Sequence, residues 1–364
     1  MTETVAIWTD APKDSKEPPE LNLHVNIWDR LIENQIAVDF GIQFKSTAQN
    51  GDTIFLFLPV PLTNCKLDDL WDVMRNEKTL SAVFNSTVAS LNADPSNYTD
   101  FTLGNGDQYR LHNLFQILST EEVVGDDIEF GSGFIVRLDI SKLTAPAAGS
   151  HYLRFRILIG DRSKQPFSTI IDPPSDFIES SFKQRHLVEF RLNERRNFPG
   201  VISSRTLVGT FPKINLIQYF LVRDASHDLS GYHVDCRKKR RFENDLWSEY
   251  LGSLGGEHAN SLIIYHWREE VDPGKNATED FVALATFDEL KSLTLRFIFI
   301  VVLLGALGSA VCAFFFEFIQ GLFDHPVSIA SFAIVIIVTL GAIVALIAQD
   351  RWRQKNRKQI RDTA

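Results

Sequence analysis

Five successive cations, Arg237, Lys238, Lys239, Arg240 and Arg241, interrupt a chain whose net charge is −9. Guanidinium groups present forked N–H donors that match phosphate oxygens, and lysine adds a compact point charge. Tyr219, Tyr232, Phe242 and Trp247 lie near the run in sequence and offer flat rings on which bases could stack. Arg195 and Arg196, with Arg154, Arg156 and Arg191, supply further forked donors. The chemistry open to this set is recognition of a phosphate-bearing ligand, a nucleotide or an oligonucleotide. The same run would also serve as a solvated face, or as a patch drawn to anionic lipid at an inner leaflet.

A second set, Gly305, Ser309, Phe316 and Glu317, sits in the apolar C-terminal part of the chain. Residues 297–316 and 327–348 are runs of 20 and 22 residues without a formal charge. At about 1.5 Å per helical residue each covers roughly 30 Å, the hydrocarbon thickness of a bilayer. Six basic residues follow Ala348, Lys291 and Arg296 precede the first run, and the connecting loop has no Lys or Arg. The positive-inside rule therefore predicts a hairpin with both termini in the cytoplasm. The N-terminal residues lack the basic-then-apolar pattern of a cleaved signal. Small residues four apart, Gly305 and Ser309, favour close helix association in lipid. Two helices cannot enclose a lumen, so a pore needs about four or more copies, and Glu317 would then form a ring of negative charge favouring cations. Phe314, Phe315 and Phe316 read as an interfacial belt or as a constriction that closes by dewetting.

Several chemistries are disfavoured. The chain has no G-x-S-x-G, H-E-x-x-H or G-x-x-x-x-G-K-[ST] pattern, so no enzyme and no cofactor are expected. The pair of glycines in "FGSGF" reads as a turn or bulge. His227, His233, Asp235 and Cys236 could meet a zinc ion, but their spacing fits no standard finger, and no metal site is expected. The three cysteines, Cys65, Cys236 and Cys312, form no C-x-x-C pair and suit a reducing compartment. Because the tail from Asp350 is +4 and residues 291–349 are neutral, residues 1–290 hold −13. A general nucleic-acid coat is disfavoured at that charge.

The elements that must position these residues are mostly strands. "LNLHVNIWD" and "IAVDFGIQF" alternate apolar and polar residues, which predicts two antiparallel strands with one wet face. "DTIFLFLPVP", "FIVRLDIS", "HYLRFRILIGD", "HLVEFRL" and "TLVGTFPKINLIQYFLV" read as further strands. Helical spacing appears at Leu67, Leu70, Trp71 and Met74 with Asn64 as cap, at Leu80, Val83, Phe84 and Val88, and along "RRFENDLWSEYLGSLGG". "SLIIYHWREE…DFVALATF" predicts a hairpin. Asp288 reads as the start of a helix running into the first span.

The expected fold is therefore an α+β, mostly β, cytosolic region followed by a two-helix transmembrane hairpin. Its divisions are a tail (1–20), a β-rich domain with short helices (21–172), a second β-rich domain (173–287), the hairpin (288–350, spans about 297–319 and 326–348) and a basic tail (351–364). Pro173–Pro174 marks the internal boundary. CorA-type magnesium channels share this layout, but their Gly-Met-Asn signature is missing from the loop "FIQGLFDHPV". The charge arrangement and segments such as "HLVEFRLNERRNFP" resemble bacterial anti-phage transmembrane effectors, in particular the channel effectors of Hailong systems. That resemblance implies a homo-oligomeric, ligand-controlled channel in the bacterial inner membrane. Its ligand would be a nucleotide or oligonucleotide made by a partner nucleotidyltransferase, and the resemblance assigns no residue a role.

Overall fold

The computed structural model describes residues 4–11, 18–32, 35–45, 51–93, 97–124, 132–146, 149–160, 167–171, 183–252, 261–271, 280–290, 294–321 and 337. The chain begins with β1 (Ala6–Thr9), β2 (Glu20–Ile32), β3 (Gln35–Phe44), β4 (Thr53–Leu58) and β5 (Cys65–Asp69). Two short helices follow, α1 (Trp71–Met74) and α2 (Glu77–Phe84). Next come β6 (Val88–Ala93), β7 (Tyr98–Leu103), β8 (Gln108–His112), β9 (Leu118–Val124), β10 (Ser132–Asp139) and β11 (Ser150–Ile159). β12 (Ser168–Ile171), β13 (Lys183–Leu192) and α3 (Gly200–Thr206) lead to β14 (Lys213–Asp224), β15 (His227–Tyr232) and β16 (Lys238–Arg241). Finally α4 (Asn244–Leu251) precedes β17 (Leu262–Glu270), β18 (Phe281–Leu290) and the long helix α5 (Thr294–Gly321).

The strands form three sheets: β1-β4-β10-β9, β12-β13-β18-β15, and a ten-stranded sheet in the order β16-β17-β14-β2-β3-β11-β8-β7-β6, with β5 also paired to β11. One face of the large sheet packs against the two small ones. Leu23, Val25 and Ile27 of β2 and Val38, Phe40 and Ile42 of β3 join Leu56, Val136, Phe190 and Phe287 in one apolar core. Each such fully buried side chain contributes about 1.5–3 kcal/mol. The other face lies beneath α1, α2 and α4, where Trp28, Tyr152, Val222 and Ile264 meet Trp71, Leu80, Trp247 and Tyr250. That cover explains why the polar residues of β2 and β3, expected to be wet, are inside: His24, Asn26 and Asp39 are all buried.

Several boundaries differ from the sequence expectation. Residues 1–20 are not all a tail: "AIWT" forms β1, pairs with β4 and buries Ile7 and Trp8. The run read as a helix from Asn64 is a 3-10 turn, the strand β5 and one helical turn, because Cys65–Asp69 pairs with β11. α2 is as expected, capped by Asn76, whose Oδ1 accepts from the Lys78 and Thr79 amides, but it ends at Asn85 (φ 51°), so Val88 opens β6. β17 and β18 are not a hairpin; they belong to different sheets. Asp288 lies within β18, bound to Arg185, and α5 begins at Thr294. Strands from both sides of Pro173–Pro174 pair in one sheet, β2 with β14, so Met1–Leu290 is one compact unit and not two.

Lys291–Ala364 is a separate unit. Within it, Ile298–Phe318 is long and apolar enough to cross a membrane. The expected second span at 326–348 and the basic tail lie outside the described residues.

Candidate functional site

Across the helix-covered face of the large sheet, the strand registers align two rungs of polar side chains. One rung runs Arg156–Asp39–Asn26–Phe220–His266–Lys238. Its neighbour runs Arg154–Gly41–His24–Gln218–Arg268. Both begin beneath α4 and become progressively more exposed toward the edge strand β16.

The inner end is closed by hydrogen bonds. Asp39 accepts from Arg156 Nε at 2.6 Å, Arg156 Nη2 at 3.0 Å, Trp28 Nε1 at 2.6 Å and the Tyr250 hydroxyl at 2.5 Å. Burial alone would raise the Asp39 carboxyl; the charge and hydrogen bonds of Arg156, with Arg154 and Tyr250, outweigh it and hold the pKa below the ordinary value. Arg154 donates to the hydroxyls of Tyr250 and Tyr152 at 2.7 and 2.8 Å. Gly41 leaves room for this: a Cβ there would meet the Tyr152 hydroxyl at 2.4 Å. The network binds Tyr250 of α4 to the sheet, and α4 follows β16 after two residues, so it also fixes where the basic strand lies.

The outer end is cationic. β16 pairs with β17, placing Lys238 opposite His266 and Arg240 opposite Ile264. Strand alternation puts Lys238 and Arg240 on the strip's face, with Lys239 and Arg241 on the other. Lys239 Nζ lies 5.3 Å from the Tyr265 ring centre. Arg240 makes a 3.4 Å contact with Glu243, and Arg268 pairs with Glu270 at 2.5 Å. The His266 ring stacks on Phe220 at 4.2 Å. Burial, then the charges of Arg237, Arg240, Lys238 and Arg268, push the His266 pKa down to about 4. His24, 3.3 Å from Gln218, falls to about 3 through burial and then Arg154, His266 and Arg268. Two enclosed nitrogens here, His266 Nε2 and Arg268 Nε, have no hydrogen-bond partner among the described residues. Enclosed donors and acceptors are normally paired, so these two point to a group that completes them.

No family model matches the chain, and no curated protein does. What the strip can do must therefore be judged from its own groups. Cations on an exposed strand edge beside unfilled nitrogens suit an anionic, oxygen-rich ligand. Among the other openings, a cleft of about 470 Å³ at the ends of β2, β3 and β14 carries Glu20 and Glu270 against Lys45, a balance less suited to phosphate.

The expected ligand residues separate. Arg237, Lys238, Lys239 and Arg241 are exposed on or beside β16 and Arg240 is half-buried there. Arg195 and Arg196 are elsewhere, in a 3-10 turn after β13; Arg195 lies 4.4 Å from the Phe211 ring centre and Arg196 pairs with Glu194. Arg191 is held by Glu189 and Glu194 at 2.7 and 2.9 Å. Arg154 and Arg156 are interior groups beneath α4, engaged by Tyr152, Tyr250 and Asp39, although Arg154 Nη2 has no hydrogen-bond partner among the described residues. Of the stacking rings, Tyr219, Phe242 and Trp247 are core residues, and Tyr232 is 54% exposed. His24, Gln218, His266 and Arg268 escaped sequence reading; their signal was a polar side chain at every second position of an apolar strand.

The expected pore residues lie on α5, with Gly305, Ser309 and Phe316 exposed and Glu317 half-exposed. At about 100° per residue, Ser309 and Phe316 fall within about 40° of Gly305, whereas Glu317 is about 120° away. Gly305, Ser309 and Phe316 thus share one stripe, and Glu317 lies off it on a neighbouring face. A Cβ added at Gly305 or Gly308 would meet nothing within 4 Å.

Proposed function

We propose that this chain is a ligand-gated, homo-oligomeric ion channel effector of a bacterial inner membrane, acting in anti-phage defence. The sheet module senses a nucleotide or oligonucleotide at the outer end of the polar strip, and α5 lines the conduction path. One juxtaposition carries the reading: in a single chain, a cationic strand edge, beside His266 and Arg268 nitrogens without a hydrogen-bond partner among the described residues, precedes an apolar helix none of whose membrane-length window is buried. Such a helix needs lipid or other helices around it. Gly305 and Ser309, small residues four apart, favour association with copies of itself, and a ring of Glu317 carboxylates would favour cations. Second helices at 326–348 would complete the wall.

Ion flux through proteoliposomes holding the full-length protein tests it, with and without nucleotides and short oligonucleotides. A cation flux that the ligand switches in either direction is expected, and Glu317→Gln should weaken the cation preference. Absence of flux under every condition would remove the channel reading. A membrane-anchored scaffold would then remain, for which the same small residues supply the self-association.

A further inference from the structure

His227 does not join His233 and Cys236. It meets His186 and Glu289 in the sheet β12-β13-β18-β15. The central strand β18 supplies the carboxylate and each flanking strand one imidazole. Glu289 is opposite His227 in register and opposite Gln184, two residues from His186, so all three side chains leave the same face.

Their ligand atoms lie within 4.8 Å of one another. His186 Nε2 is 2.9 Å and His227 Nε2 3.4 Å from the same oxygen, Glu289 Oε2. Bonds of 2.0–2.1 Å to a tetrahedral ion set neighbouring ligand atoms about 3.3 Å apart. The two nitrogen-to-oxygen edges therefore already stand near the length such an ion requires, and the third is no longer than 4.8 Å. His227 Nδ1 lies 3.3 Å from Ser226 Oγ, a contact that fixes the ring and leaves Nε2 for the cluster. Both imidazoles are 2% exposed while Glu289 is 26% exposed, so the site is walled on one side and open on the other. Two nitrogens and one carboxylate with an open fourth position are a donor set for a borderline divalent ion.

We propose that His186, His227 and Glu289 bind one Zn²⁺ ion that ties β13, β18 and β15 together. Glu289 is the penultimate residue of β18, after which the chain leaves the sheet. The ion would stiffen the point from which the chain departs toward α5. This inference is independent of the channel reading.

Full-length protein in detergent, stripped by chelator and dialysed, should take up one Zn²⁺ per chain and unfold at a higher temperature with zinc. Glu289→Gln and His186→Ala should each weaken uptake by more than about tenfold, while Cys236→Ser leaves it unchanged. Because a variant can fail to fold, the unaltered protein loaded with Co²⁺ supplies a second readout. Visible bands of a tetrahedral site without a thiolate-to-cobalt charge-transfer band are expected. Uptake of no ion, uptake indifferent to Glu289→Gln, or a strong thiolate band would each overturn the site.

Discussion

β11 and β16 are both arginine-bearing strands of one sheet, and they use the same side chain in opposite ways. In β11, Arg154 and Arg156 are enclosed, and Asp39, Tyr152 and Tyr250 engage both guanidiniums. In β16, Lys238 to Arg241 stand on an outer edge, exposed or half-buried, and Arg240 contacts a half-exposed Glu243. Position in the sheet decides the outcome. A central strand has helices above it and must neutralise what it buries, whereas an edge strand keeps its cations hydrated, which also discourages pairing with another sheet.

The sharpest way to break this contrast is to remove one interior partner. Asp39→Asn leaves a guanidinium buried without its counter-charge, and such a loss costs about 3–5 kcal/mol. Urea unfolding of the full-length protein should show it, together with detachment of α4, reported by Trp247 fluorescence. A loss below about 1 kcal/mol would mean that Asp39 does not hold the inner end of the strip. Replacing Asp39 and Arg156 together with apolar residues of similar volume should recover only part of the loss, because Arg154, which Asp39 also faces, stays buried.

The sequence made the strands legible and left their partners hidden, for one reason. A period of two identifies β2, β3 and β11 but does not say whether the polar side meets water or a helix. Asn26, Asp39 and Arg156 read as a wet face because nothing local announces that α4, more than 200 residues along from Asp39, will cover them. The same limit separated the expected ligand arginines: Arg195 and Arg237 look alike as residues, yet one lies in a 3-10 turn after β13 and the other just before β16. The long apolar run was legible from composition alone, since 28 residues of α5 need no partner to be recognised. The cluster of His186, His227 and Glu289 was not, because its members come from three strands whose pairing no spacing encodes.

Acid provides a graded version of the interior-edge contrast. Burial comes first among the causes that depress His24 and His112 to about 3 and His151 and His266 to about 4. His112 Nε2 and His151 Nδ1 are 2.8 Å apart and share one hydrogen bond, so those two titrate as a pair. Each folded-state value lies below the unfolded value near 6.5, so the unfolded chain binds the proton first. The stability they contribute is whole above about pH 6.5 and drains away as pH falls toward 4, at up to about 1.4 kcal/mol per pH unit for each histidine engaged. Unfolding free energies at pH 7, 6 and 5 should therefore fall steadily, and His24→Gln should flatten the slope. A stability unchanged from pH 7 to pH 5 would contradict the buried, neutral assignment.

The smallest stability effect is expected at the edge. Lys238→Glu with Arg240→Glu alters two side chains whose surroundings are water and Glu243, so unfolding should shift by less than about 0.5 kcal/mol. Binding behaves otherwise if the strip's outer end holds the ligand. Loss of two phosphate contacts should lower the salt dependence of single-stranded oligonucleotide affinity by about 1.4 in log–log slope. His266 gives a local readout, because part of its depression comes from Arg237, Arg240, Lys238 and Arg268. An anion seated among those cations offsets their field, so ligand should raise the His266 pKa from about 4 while His112, toward the other edge of the sheet, stays where it is. Histidine NMR titration with and without oligonucleotide separates the two. A salt slope indifferent to the double reversal, with an unmoved His266, would reduce β16 to a solvated edge and send the search for the ligand to another face.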